Sequence, residues 1–294
     1  PMGPRDQSEL RQLTRALREM DLITVQEAMA PPDSMLLTQT LTRFTSDGRP
    51  ISETMRAIRR LAVSTRDRLS ADMIAALDAM LGAVTRRLAA ARGNVDRMLA
   101  ALDDLIRFVA TFAGLSQENV TRGSGWRFLD IGRRLERAHF TCRGALAPFG
   151  QSPVVWESAM RLALELCDST ITYRTRYLGA LEPAPALDLV LLDESNPRSL
   201  AFQLHAIHHH LEELGRATRA EVGFSTDLYI GELQDVVTLF GQDEGAWRHD
   251  GLTLAQLRHT LDRLEQALGQ LSDELTRTYF SLVPTQHLLG LPTA

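Results

Sequence analysis

The chain has 294 residues, a formal net charge of −5 and 44% hydrophobic residues, enough to fill one large domain or two closely associated ones. That acidic balance, with no basic run interleaved with aromatics, excludes nucleic acid as the main partner, and no apolar run reaches the roughly 18 residues of a membrane span. All 32 basic residues are arginine, so phosphate-loop, Schiff-base and ATP-holding lysines cannot come from this chain, which is therefore no self-sufficient kinase or ligase.

Apolar residues recur at spacings of 3 and 4 through 6–30, 51–79, 80–115, 125–147, 153–180, 197–220, 226–240 and 253–280, and nothing alternates as a strand should. The pattern predicts an all-α, multi-helix bundle. Breaks are expected at Pro31-Pro32-Asp33, Asp47-Gly48-Arg49-Pro50, Gly123-Ser124-Gly125, Pro148 to Pro153, Glu182 to Pro185 and Gln242 to Gly251, where turn-forming residues cluster. Links this short make successive helices antiparallel neighbours. Arg66-Asp67-Arg68 reads as part of a salt-bridge lattice rather than a site.

The helix expected from Gly125 is the most charged. On a helical wheel Phe128, Ile131, Leu135, Ala138, Cys142 and Phe149 form one apolar arc, bordered by Arg127, Asp130, Arg134 and Arg137. Leu129 and Phe140 lie opposite and share their side with Arg133 and Glu136. A helix apolar on two sides belongs inside a bundle. The charges have two readings: pairs that link helices, or an arginine-lined pocket for a carboxylate or phosphate, which guanidinium grips with two prongs while keeping its charge. In either case Arg133 and Glu136 are expected in a buried interhelical contact, with Glu136→Ala costing about 3 to 5 kcal/mol.

Further along, Met160, Leu164, Cys167 and Ile171 are core candidates of one long helix. Tyr173 and Tyr177 lie one turn apart, placed either to pack their rings or to close a polar pocket. Cys142 and Cys167 sit in helical apolar patterns without paired spacing, as expected of a reduced cytoplasmic protein. In Asp193-Glu194-Ser195-Asn196-Pro197-Arg198-Ser199, Asn196 suits a helix N-cap and Pro197 the first helical position. Leu200, Leu204, Ile207, Leu211 and Leu214 make the core stripe of the next helix. Capping leaves Arg198 and Gln203 unexplained, and both are positioned to converge on whatever Arg127 or Arg134 binds. His205, His209 and Glu212 have metal-face spacing, but lack a second ligand cluster and read as a solvated helix face, so no metal is expected. No cofactor signature, Ser/His/Asp order or dinucleotide glycine fingerprint is present.

A faint internal repeat pairs Pro50-Ile51-Ser52 with Pro197-Arg198-Ser199, placing Ser52 and Ser199 147 positions apart. The same offset puts the counterpart of Arg133 ahead of residue 1. Sub-repeats over 1–115 and 116–294 are expected, the first without its leading helix, so that the chain would be a C-terminal fragment of a longer polypeptide. An apolar face is then expected at the surface within 6–30 and 51–79.

Three segments taken together, Glu118 to Ala138, Thr172 to Tyr177 and Asp193 to Ser199, resemble the bacterial alpha-E domain family in content, order and spacing. Arg66 to Ser70 and Thr278 to Ser281 extend the likeness. The resemblance implies an all-helical domain that accompanies or is fused to a circularly permuted ATP-grasp protein, in a system forming or remodelling amide bonds. The motif positions are Arg133, Arg134, Glu136 and Arg137, then Asp193, Asn196, Arg198 and Ser199. The expected function is an accessory domain binding a peptide substrate, an acidic group or the ATP-grasp ligase. Arg127, Arg133, Arg134, Arg137, Tyr173, Arg198 and Gln203 would do the binding. The alternatives are an enzyme using Glu136 as general acid or base, and a structural scaffold.

Overall fold

The computed structural model describes residues 4–24, 34–45, 50–91, 94–149, 156–220, 222–242 and 251–280. Among them are twelve α-helices, short connecting turns and no strand. The break expected at Pro31-Pro32-Asp33 lies outside the described residues, as do most positions of the breaks at 47–50, 148–153 and 242–251. The helices fall into two compact units interleaved along the chain, Pro1–Asp130 with Ala147–Leu162, and Ile131–Leu146 with Ala163–Ala294.

The first unit carries α1 (Pro4–Glu19), α2 (Ser34–Thr45), α3 (Pro50–Ser64), α4 (Ala71–Ala91), α5 (Val95–Asn119) and the first turns of α6 (Ser124–Leu146). Its centre is the α4–α5 pair. Leu77, Leu81, Val84 and Leu88 recur at helical spacing on α4 and meet Ala101 and Phe108 of α5, with Met55 of α3 completing the cluster. The expected 51–79 and 80–115 helices break elsewhere. Ser70 and Asn94 interrupt them, their side chains accepting from the amides of Met73 (3.2 Å) and Arg97 (3.0 Å) three residues on, as N-caps do. Helix α2, which the apolar pattern does not single out, packs on α3 and α5. Ile58, Leu61 and Val63 of α3 and Leu99, Ile106 and Val109 of α5 remain exposed.

The second unit holds the remainder of α6, the end of α7 (Trp156–Leu166), α8 (Thr170–Arg176) and α9 (Pro183–Leu187), which runs into a π-helical turn at Asp188–Leu192. Helices α10 (Leu200–Thr218), α11 (Thr226–Gln242) and α12 (Gly251–Tyr279) complete it. Leu257, Leu261, Leu264, Leu268, Leu271 and Leu275 alternate spacings of four and three along α12, so one seam stays buried for its full length. The α10 stripe of Leu200, Leu204, Ile207, Leu211 and Leu214 is buried as expected.

Two expectations are corrected here. The 153–180 helix is two helices, because Asp168 adopts a left-handed conformation (φ 50°) between them. Aspartate tolerates that region better than most residues. The turn resets the helical phase of α8 against α7, so Met160, Leu164 and Cys167 are buried while Ile171 is 80% exposed. Second, α6 buries one face only. Ile131, Leu135, Ala138 and Cys142 are inside, whereas Leu129 and Phe140 are 40% and 44% exposed.

Candidate functional site

The Asp193–Ser199 turn organises the site, and its capping differs from the expected one. Ser199, not Asn196, is the N-cap of α10: its Oγ accepts from the Phe202 amide (3.1 Å) and donates to the Asp193 carbonyl (2.6 Å). Asn196 is instead buried as the pin of the turn. Its Nδ2 donates to Leu189 O (2.9 Å) and Ser169 Oγ (3.2 Å), and its Oδ1 accepts from the Arg198 amide (3.1 Å). Asp193 folds back on Ser195, whose amide and hydroxyl donate to Oδ1 at 2.8 and 2.7 Å, and it pairs with Arg176 at the end of α8. Burial works to raise the Asp193 pKa, but those hydrogen bonds and Arg176 more than offset it and hold the carboxyl below its ordinary value. Asp188 moves the other way, raised by burial and then by the charge of Asp193.

Against this turn α6 lays its arginines. Arg134 donates to Gln203 Oε1 (3.2 Å) and its guanidinium lies 5.1 Å over the Phe202 ring. Arg137 donates to the Pro197 carbonyl (3.5 Å), and Arg198 reaches Asp168 Oδ2 at 2.6 Å. Gln203 is fully buried and oriented by its amide, which donates to Pro197 O (2.8 Å) and Ser199 O (3.1 Å), leaving its oxygen for Arg134. Burial lowers the Arg137 pKa, and the positive charges of Arg198, Arg134 and Arg133 lower it further against the opposing Asp168. Guanidinium stays protonated through such a shift, so positive charge is concentrated in a turn that cannot shed it.

Of the seven residues expected to bind, the structure brings Arg133, Arg134, Arg137, Arg198 and Gln203 into one neighbourhood. Arg127 belongs to the other compact unit. Tyr173 is buried and structural: its hydroxyl donates to Ala180 O (3.3 Å), accepts from the Glu182 amide (3.0 Å), and its ring packs 4.9 Å from that of Tyr177. The buried Arg133–Glu136 contact is absent. Glu136 is exposed and makes no hydrogen bond or ion pair among the described residues, while Arg133 is half-buried. At Glu136 this side of α6 faces solvent, and α12 meets it only two turns on, where Arg143 reaches Glu265 at 2.7 Å. Asp168 is a site residue the apolar pattern misses; its signal is an Asp-Ser pair just past the end of a helix.

Among the described residues no cluster of His, Cys, Asp and Glu could hold a metal ion. His205 faces Glu194 at 3.8 Å, His208 faces Glu212 at 3.4 Å, and the His209 ring lies 5.8 Å from that of His210. Cys142 and Cys167 are free and buried; burial raises both thiols, Cys167 to about 12. No helix among the described residues is long and apolar enough to cross a membrane.

Fold and site define an all-helical protein with an arginine cluster seated on a capped turn. Residues 3–280 match the family called Alpha-E, described as a predicted alpha-helical domain with a conserved ER motif, and the chain belongs to that family. Glu136-Arg137 is the sole Glu-Arg dipeptide in the sequence, so the motif falls in the charged segment of α6. Similar chains include uncharacterized proteins of Mycobacterium tuberculosis strain H37Rv and of Mycobacterium bovis. Each is 27% identical over 201 residues, covering 64% of this chain and 21% of the relative. The match thus spans about a fifth of those relatives' length. No solved structure gives a significant match.

Proposed function

We propose that this chain is an accessory, anion-binding domain of an ATP-grasp-linked system that makes or remodels amide bonds. Its arginine cluster would hold a carboxylate of the peptide on which that system acts. The observation that carries this reading is the gathering of Arg134, Arg137 and Arg198, with Arg133 close enough to perturb Arg137, around the Asp193–Ser199 turn. Like charges raise the free energy of the empty site, and an incoming carboxylate relieves that repulsion while accepting charge-assisted hydrogen bonds. Because the chain has no lysine, the phosphate-holding lysines of ATP chemistry would come from the partner, a circularly permuted ATP-grasp protein or domain.

The reading is tested by titrating the protein with an acidic peptide and with inorganic phosphate at low and moderate salt. Saturable binding is expected, weakened by added salt and by about tenfold or more in Arg134→Ala with Arg198→Ala. No saturable binding, or binding unchanged in the double variant, defeats it. A second reading, Glu136 as a general acid or base, is favoured by that carboxylate's exposure and lack of partners; Glu136→Gln in the partner-containing system tests it through turnover.

A further inference from the structure

We infer that the outward face of α8 is a seat for an apolar side chain of an acidic peptide, continuous with the arginine cluster that takes the peptide's carboxylates. This deepens the binding reading above and rests on it. Helix α8 is fastened at both ends to the Asp193–Ser199 turn. Asn196 bonds Ser169 and Arg198 pairs with Asp168 just before it, and Arg176 pairs with Asp193 at its end. Buried Tyr173 fixes which side faces inward. With its rotation set, Ile171 and Thr175 lie one turn apart on the outward side, and Leu178 lies beyond the helix end.

Ile171 is 80% and Leu178 92% exposed. Single exposed aliphatic residues are ordinary. Here Ile171 stands on a pinned helix and Leu178 just past its end, next to cations. Arg174, exposed and without a hydrogen bond or ion pair among the described residues, is on the same helix, and Arg198 lies at its start. The surface therefore runs from guanidinium through aliphatic to guanidinium. Its complement is a segment with carboxylates on either side of an apolar residue. Arg198 already meets Asp168, so the charge left for a partner to meet on this helix is that of Arg174, which a neutral or basic apolar partner would cover without supplying the opposing charge, an unfavourable exchange.

The test uses fluorescence anisotropy with a fluorescein-labelled hexapeptide of alternating glutamate and leucine, and its counterpart with serine for leucine. The Glu/Leu peptide is expected to bind about tenfold tighter, an advantage that Ile171→Ser with Leu178→Ser erases while Glu/Ser binding stays as in the parent. Both substituted positions face solvent, and circular dichroism confirms that the double variant is folded. Equal affinity for the two peptides, or a leucine advantage that survives in the double variant, overturns the seat. If Glu/Ser binding is lost with Arg198→Ala and no leucine preference exists, the anion site stands and the seat alone falls. If neither peptide binds the parent, both fall.

Discussion

Replacing Asn196 by alanine removes three hydrogen bonds at one stroke from a residue only 5% exposed: two donated by Nδ2, to Leu189 O and Ser169 Oγ, and one accepted from the Arg198 amide. Each bond contributes on the order of 1 kcal/mol net, and partners left dry in the interior push the cost upward. The expected loss is about 3 kcal/mol, or a thermal midpoint lower by about 6 to 12 °C for a unit of this size. Urea unfolding followed by far-ultraviolet circular dichroism measures it. Because the Arg198 backbone hangs on Asn196, the affinity for acidic peptides should fall as well, whereas Ser195→Ala, at an exposed position of the same turn, should cost less on both counts. A change below about 0.5 kcal/mol in Asn196→Ala would show that the turn is held by its backbone alone, and the account of the site's rigidity would be wrong.

Glu136→Ala should leave stability within about 0.5 kcal/mol of the parent, since the carboxylate is exposed and unpartnered; a loss of several kcal/mol in a urea titration would reinstate the buried contact. Tyr173→Phe should cost about 1 to 2 kcal/mol and speed trypsin cleavage after Arg176, because the hydroxyl bridges Ala180 and Glu182; equal cleavage rates would contradict that role. Asp193, depressed in the fold, contributes stability that is complete above the ordinary carboxylate pKa of about 3.9 and lost as pH falls through its lower folded value, so Asp193→Asn should flatten the acid limb of a stability–pH profile. Asp188, raised in the fold, contributes stability present at low pH and lost as pH rises through its folded value; Asp188→Asn should therefore gain stability relative to the parent toward neutral pH, and a loss there would contradict the sign.

The α10 stripe is legible in the sequence because its five leucine and isoleucine positions keep the helical period without interruption, and one packing surface dictates that period. Boundaries are less so. Ser70 and Asn94 each cap the start of a new helix while apolar spacing continues past them, so periodicity alone misplaces the break that capping makes. Counting through Asp168 assigns Ile171 to the core, yet a single left-handed residue there resets the phase. Within the site, Arg134, Arg198 and Gln203 are readable as charged or polar positions that capping does not account for. Tyr173 is not, since sequence spacing cannot tell a hydroxyl that closes a pocket from one that ties down its own loop. Glu136 misleads for a different reason: two apolar residues on the far side of α6 suggest a covering helix, and Leu129 and Phe140 instead face solvent.

The two interior thiols give the second unit a built-in gauge of its own opening. With the Cys167 thiol raised to about 12, the reactive thiolate is on the order of one part in 100,000 at neutral pH, and both sulfurs are sealed from reagent as well. Alkylation then proceeds almost wholly through transiently opened molecules. Where closing outpaces the chemistry, each factor of ten in labelling rate corresponds to about 1.4 kcal/mol of opening free energy. Cys142, within α6, and Cys167, in the turn beyond α7, sample different helices, so unequal rates would report that one of them loosens before the other.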